Sequence, residues 1–401
     1  MSQPTVEADL LPFRDPEYLR DPFPFYTRLR AQAPVYPTSI GPIAVSRYAD
    51  VHDVLTDRKY VKAGEVPAWA VGSPTTAKFL SLDMAFQTRE EHQRIRRAVN
   101  HHFTPKALAS LKATMEEIIV GDLDAISGES SFDVVEDFVS RFPVTVAGDM
   151  LGIDPADRGR LYEACKRMGS FIEAAPTEAD IASMERGFGT MMAFSYDLID
   201  DRRGNPREDD LLSKLVAADT PEKQLTDDEL AALVTALFLG GFETTKGSVS
   251  NGIRALIEFP EEHRKLTERP ELSVNATEEV LRWDPVLHLE PRKALEPVTV
   301  AGEEFDAGTQ FLVLIGSANR DEARHEAPEE FRVERLHDQR SHFTFGGGPY
   351  FCLGAAFSRM EMEIVFRLLP QRFKRLELVE IEFGNRPALR SPERMIVEVL
   401  A

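Results

Sequence analysis

Phe345-Gly346-Gly347-Gly348-Pro349-Tyr350-Phe351-Cys352-Leu353-Gly354 carries one of the two cysteines in the chain. Three consecutive glycines let the backbone turn tightly and expose amides. The helical pattern that begins near Leu353 places Cys352 at a helix N-terminus, where the dipole and free N–H groups favour a thiolate. Gly354 leaves room for a flat partner. Such a thiolate can ligate a metal or act as a nucleophile, and an inert buried cysteine is the third reading. A thiol nucleophile needs a histidine base, but Tyr350 stands two residues before the cysteine. A zinc site needs further cysteines, and Cys165 is remote in sequence.

A second group is Gly240-Gly241-Phe242-Glu243-Thr244-Thr245, inside a segment with helical periodicity. Each mid-helix glycine costs roughly 1 kcal/mol against alanine. Two of them let something bulky approach the backbone, and a threonine hydroxyl can take a carbonyl from the preceding turn and open the ladder. Glu243 and Thr244 at a widened turn are suited to relaying protons. A kinked helix with a surface glutamate explains the same residues equally well. Glu279 and Arg282, three apart on one helix face, form a third pair, weak as a signal because this spacing is common.

The elements that must position these residues are mostly helices. Thr226 and Glu229 have capping-box spacing, and Pro260 closes a helix of about 30 residues, ~45 Å long at ~1.5 Å per residue. Helices are expected over 48–56, from Glu90 to about Leu123, over 132–151, 155–172 and 177–203, and after Asp209-Asp210. Strands are expected at Ile43–Ser46, Val298–Val300 and Phe311–Ile315, with turns at Gly302 and Gly308. Residues 61–88 carry Gly64, Pro67, Gly72 and Pro74 and read as an irregular loop. The fold class is therefore mainly α with small β-sheets.

The 401 residues show no linker, repeat or charge segregation, so one domain over 1–401 is expected. A net charge of −20 argues against nucleic-acid binding. The N-terminus has no signal-peptide pattern, the longest apolar run, Leu230 to Leu239, is too short for a membrane span, and two cysteines make no disulfide framework. A cytoplasmic location without membrane attachment is expected.

Taken together these motifs resemble the cytochrome P-450 superfamily, bacterial soluble type, over most of the chain from Asp21-Pro22-Phe23-Pro24-Phe25-Tyr26 onward. The pattern Phe-x-x-Gly-x-x-x-Cys-x-Gly is met by Phe345, Gly348, Cys352 and Gly354, and small-Gly-x-acid-Thr by Gly240, Gly241, Glu243 and Thr244. Glu279 and Arg282 match the Glu-x-x-Arg pair, and Phe331 with Arg335 the segment whose arginine completes that ion-pair cluster. The resemblance implies the cytochrome P-450 fold, with haem b between a long central helix and the cysteine-loop helix. It makes Cys352 the iron ligand, His92, Arg96 and Arg292 the groups that clasp the haem propionates, and Glu243 with Thr244 the proton relay. The chain departs from the pattern in three places. Tyr350 replaces a frequent propionate-binding histidine, Gly240 the usual alanine, and Arg89-Glu90 a frequent Pro-Pro pair.

The implied activity is that of a haem-thiolate monooxygenase. It would hydroxylate or epoxidise a small, largely apolar molecule, such as a natural-product intermediate, using O2. The electrons would come from NAD(P)H through a ferredoxin and its reductase. Lys106, Arg94, Arg97 and Arg359 are candidate docking cations. Leu239, Gly240, Leu287 and Leu289 are candidate substrate-pocket residues, with 61–88 and the helices near 165–200 at the entrance. A peroxide-driven peroxygenase is the nearest alternative, and the Glu243-Thr244 pair counts against it. A haem-thiolate isomerase and a non-catalytic haem sensor or carrier are further alternatives.

Overall fold

The Thr226 hydroxyl accepts from the Glu229 N–H, and the Glu229 carboxylate accepts from the Thr226 N–H, so the spaced pair forms a reciprocal cap. From it one helix runs unbroken from Asp227 to Glu258 through both glycines, and Pro260 opens the next. This central helix belongs to a computed structural model that describes residues 9–62, 66–173, 176–207, 210–217, 225–338 and 341–400. Gly64 and Asp209, named above, lie outside those residues.

Most central-helix side chains are buried, because other helices cover it on several sides. Phe142–Leu151, Pro155–Met168 and Glu178–Gly204 pack on it, as do Ser273–Trp283 and Ala355–Arg372. Their apolar faces merge into the main core around Phe138, Phe188, Phe238, Phe242 and Phe366. Among the described residues no helix is long and apolar enough to cross a membrane.

A five-stranded sheet lies beside this helical body in the order Val35–Pro37, Ile43–Val45, Gln310–Leu314, Leu289–Ala294, Tyr60–Val61. Only the Ile43–Val45 and Gln310–Leu314 pair is parallel. Ser131–Asp133, Pro392–Val399 and Leu376–Phe383 form a second sheet, and Val298–Val300 with Glu303–Phe305 a hairpin.

Two segments differ from expectation. Residues 74–82, inside the expected loop, form the helix Pro74–Leu82. Its free N-terminal groups are satisfied from far away: Thr75 N–H, Thr76 N–H and the Thr76 hydroxyl all donate to the Glu185 carboxylate. Residues 132–151 do not make one helix. Ser131–Asp133 is drawn into a strand by the distant Pro392–Val399, a wide turn follows over Val134–Val139, and the helix proper is Phe142–Leu151.

Gly252 shows how tightly the central helix is packed. A Cβ there would stand 2.3 Å from Phe366 Cζ and 2.9 Å from Val280 Cγ2. Alanine gains about 1 kcal/mol of helix propensity but must displace an aromatic ring, at about 1–3 kcal/mol. Gly252→Ala is expected to lower the thermal midpoint, whereas Gly240→Ala, where a Cβ meets nothing within 4 Å, is not. Parallel melts of the two variants check this contrast.

Candidate active site

The cysteine loop is closed by its own backbone. Cys352 N–H donates to the Phe345 carbonyl at 2.8 Å and Gly346 N–H to that of Phe343 at 2.7 Å. Gly346 and Gly348 adopt φ of 71° and 61°. A Cβ on Gly348 would lie 2.7 Å from the Leu55 carbonyl oxygen, so only glycine fits. The following helix, Ala355–Arg372, begins three residues after the cysteine, with Gly354 at its N-cap. Burial outweighs the lowering of the Cys352 pKa that the helix terminus suggested, although the Gly354 N–H does act in that direction. Burial in the fold pushes the thiol up, and the Gly354 N–H and the charges of Lys62 and Arg96 only partly offset it. The side chain is nonetheless open to solvent, whereas Cys165 is fully enclosed.

The central helix crosses the cysteine-loop helix where the Thr245 hydroxyl donates to Glu361 Oε2 at 3.1 Å. The Gly240–Thr244 turn precedes this crossing. A Cβ on Gly240 or Gly241 would meet nothing within 4 Å. The Thr244 hydroxyl donates to the Gly240 carbonyl, as its spacing suggested, without breaking the helix. Glu243 is buried between Lys246 Nζ at 2.9 Å and Arg386 Nη1 at 3.2 Å. Burial alone would raise its carboxyl, but the two cations outweigh it and hold it below the usual range, so the group is ionised.

His92 and Arg96 project from the helix Arg89–Val99, which Thr88 caps, onto the back of the cysteine loop. His92 Nδ1 lies 2.8 Å from the Met84 carbonyl and Nε2 3.0 Å from that of Pro349. Arg96 donates to the Phe351 carbonyl. Burial pushes the His92 pKa down, so the imidazole is neutral and donates to only one of its two carbonyls. Arg292 reaches the same region from strand Leu289–Ala294, its guanidinium 5.4 Å from the centre of the Tyr350 ring. The Tyr350 ring lies 4.6 Å from that of His92.

Glu279, Arg282 and Arg335 form one buried cluster. Arg282 forks onto both Glu279 oxygens at 2.8 Å and donates to the carbonyls of Asn319, Pro328 and Glu330. Arg335 Nε reaches Glu279 Oε1 at 3.1 Å. Burial works to raise the Glu279 carboxyl, but Arg282, His337 and Arg335 bring it down to about 2. Asn319, which the motifs did not single out, joins this cluster to the loop. Its amide donates to the Leu281 carbonyl and the Thr344 hydroxyl, and its oxygen accepts from Phe343 N–H. Glu278, next to the motif glutamate, binds Arg359 and His342.

The proposed pocket residues separate. Gly240 faces open space, Leu239 is enclosed in the main core, and Leu287 is bridged to Leu389. Leu289 points into an apolar cluster around Tyr18 and Tyr26, away from the site, because strand neighbours alternate and Glu290 and Arg292 take the other face. Lys246 was legible as the i+3 partner of Glu243, whereas Arg386, Lys62 and Glu290 carried no local signal.

These residues fit a haem. One exposed cysteine on a glycine loop suits an iron whose other ligands come from a porphyrin. The two open glycines leave space beside the central helix, and Arg292 Nη2 and Tyr350 Oη are buried without a hydrogen-bond partner. Residues 189–273 and 271–394 match the family model described as Cytochrome P450. The chain is 31% identical to the epothilone C/D epoxidase of Sorangium cellulosum, over 97% of this chain and 94% of that protein. It is 33% identical to the mycinamicin IV hydroxylase/epoxidase of Micromonospora griseorubida, over 87% of each. The crystal structure of P450BioI in complex with hexadec-9Z-enoic acid ligated acyl carrier protein superposes with a TM-score of 0.90. That match has 27% identity and covers 96% of this chain and 99% of that one. The chain thus belongs to the cytochrome P450 family and is a haem-b-dependent monooxygenase supplied with electrons from NAD(P)H through partner proteins.

Proposed function

We propose that this monooxygenase hydroxylates or epoxidises a small, largely apolar natural-product intermediate and draws its electrons from a ferredoxin and its reductase. The observation that carries the reading is an open cysteine just before the helix that the central helix crosses at Thr245, next to the glycine-lined turn that bears Glu243 and Thr244. The names of relatives, an epothilone epoxidase and a mycinamicin hydroxylase/epoxidase, support the substrate class. When bound, the haem supplies O2 activation and oxygen transfer.

The chain's own residues have separate tasks in this reading. Cys352 Sγ would hold the iron. Arg96, Arg292 and His92 would hold the haem edge, and the Glu279–Arg282–Arg335 cluster keeps the loop in shape. Gly240 and Gly241 leave room beside the helical turn. The Thr244 hydroxyl would turn from the Gly240 carbonyl to pass a proton on, and Glu243 would resupply it after releasing Lys246 or Arg386 and taking up a proton from water. For ferredoxin docking, Arg94 is engaged by Glu91 and Glu229, and Arg359 by Glu278. That leaves the exposed Arg97 and Lys106 as the steering charges. One domain performs all of this, and a cytoplasmic setting would keep both free thiols reduced.

The test is to load the protein with haem and screen apolar polyketide-like compounds for a low-to-high-spin shift. Hits are then assayed with NADH, a ferredoxin and its reductase. Oxygenated product in step with NADH use is expected. Equal product from hydrogen peroxide without the electron partners would overturn the electron-supply reading.

A further inference from the structure

Glu290 is an unexpected neighbour for a haem edge. It shares a strand face with Arg292, two residues on, and both side chains are buried. Glu290 Oε1 contacts Arg292 Nη1 at 3.0 Å and Lys62 Nζ at 2.8 Å. Its other oxygen has no partner and lies 3.3 Å from where a Cβ of Gly346 would stand, so the carboxylate rests against the cysteine loop. Arg292 Nη2, beside it, is also buried without a partner. Taken alone, a carboxylate here would repel the two carboxylates of a haem.

Lys62 removes that conflict. Through the shared Glu290 Oε1 its ammonium stands beside Arg292 Nη1, at the same rim as the propionate-clasping residues. Tyr350 stands beside the Lys62 backbone, with an uncharged phenol at the position where the family pattern often has a histidine. Lys62, Arg96 and Arg292 set three positive charges against the one of Glu290. Among these four groups the excess of two cations matches two propionates.

We propose that Lys62 binds a haem propionate in this protein, supplying the cation that Tyr350 lacks, and that Glu290 is the positioning residue that aims its ammonium. Lys62 moves from Glu290 toward the propionate or bridges both, and Arg292 Nη2 takes the other donor position.

The experiment uses the haem-loaded protein and follows haem transfer to excess apomyoglobin, with the reduction potential as a second readout. Loading of the unaltered protein tests the cofactor reading itself, and only the variants test Lys62. Lys62→Met is expected to lose haem about tenfold faster, the effect of one charge-assisted hydrogen bond, and Lys62→Arg to stay near the parent rate. Glu290→Gln is expected to lose haem no faster than the parent and to raise the potential, because an anion near the iron is gone. Adding Lys62→Met to Glu290→Gln is expected to speed the loss again. If Lys62 merely neutralises Glu290, Lys62→Met speeds haem loss only while Glu290 carries its charge, so the double variant returns to the parent rate. That pattern overturns the proposal, as does a parent-like rate for Lys62→Met with its fold intact by circular dichroism.

Discussion

Arg282→Ala is expected to cost about 3–5 kcal/mol of stability, because it strands a buried carboxylate. Both side chains of the Glu279–Arg282 pair are wholly enclosed. Losing Arg282 also frees three carbonyls of the segment before the cysteine loop. Arg335→Ala should cost much less, since that side chain reaches the surface and Glu279 keeps Arg282. Urea unfolding of both variants checks the order, and an Arg282→Ala midpoint equal to the parent's would refute the account. Acid probes the same cluster. Glu278, Glu279 and Glu290 are each brought down to about 2 once their cationic partners outweigh burial. A depressed carboxyl stabilises the fold above its unfolded value near 4.3 and stops doing so as pH falls toward 2, so the midpoint should drop across that window. Glu173 acts with the opposite sign. Burial raises it to about 7, so its stabilising effect is complete below the unfolded value and fades as pH rises to 7. Glu173→Gln should flatten the melt profile between those limits.

Glu243→Gln is expected to cut product formation by about 10²–10⁴-fold while leaving the substrate-induced spin shift in place. Among the described residues the carboxylate is the only acid in contact with both Lys246 and Arg386, and glutamine keeps its shape while removing its charge. Thr244→Ala should act at the next step, so that NADH is still consumed but peroxide replaces product. The two defects differ in kind: Glu243→Gln slows turnover, and Thr244→Ala misdirects it. Because Glu243→Gln also strands two buried cations, thermal melts and haem content must accompany the assay. Glu243→Asp should recover part of the rate. A folded, haem-loaded Glu243→Gln enzyme with the parent's turnover rate would remove Glu243 from the relay.

Local patterns carried much of this protein. The Thr226–Glu229 cap, the Gly302 and Gly308 turns and the helix Tyr48–Thr56 depend on neighbours a few residues away, and each is found where its pattern placed it. The Cys352 loop was legible for the same reason, since its glycines serve the backbone of that loop. Spacing likewise brought Glu279 to Arg282, a contact within one helix.

The rest depended on chain segments far apart. Helix Pro74–Leu82 is capped by Glu185 and strand Ser131–Asp133 is paired with Pro392–Val399, so local propensity lost to distant partners. Glu243 read as half of a proton relay, but its charge is held by Lys246, three residues on, together with Arg386, 143 residues on. Burial also reversed the expected shift at Cys352, because desolvation of a charge depends on everything packed around it. Residue types and short spacings therefore named the chemistry, while electrostatics and long-range packing decided the ionisation of its groups and brought Lys62 and Glu290 together beside Arg292.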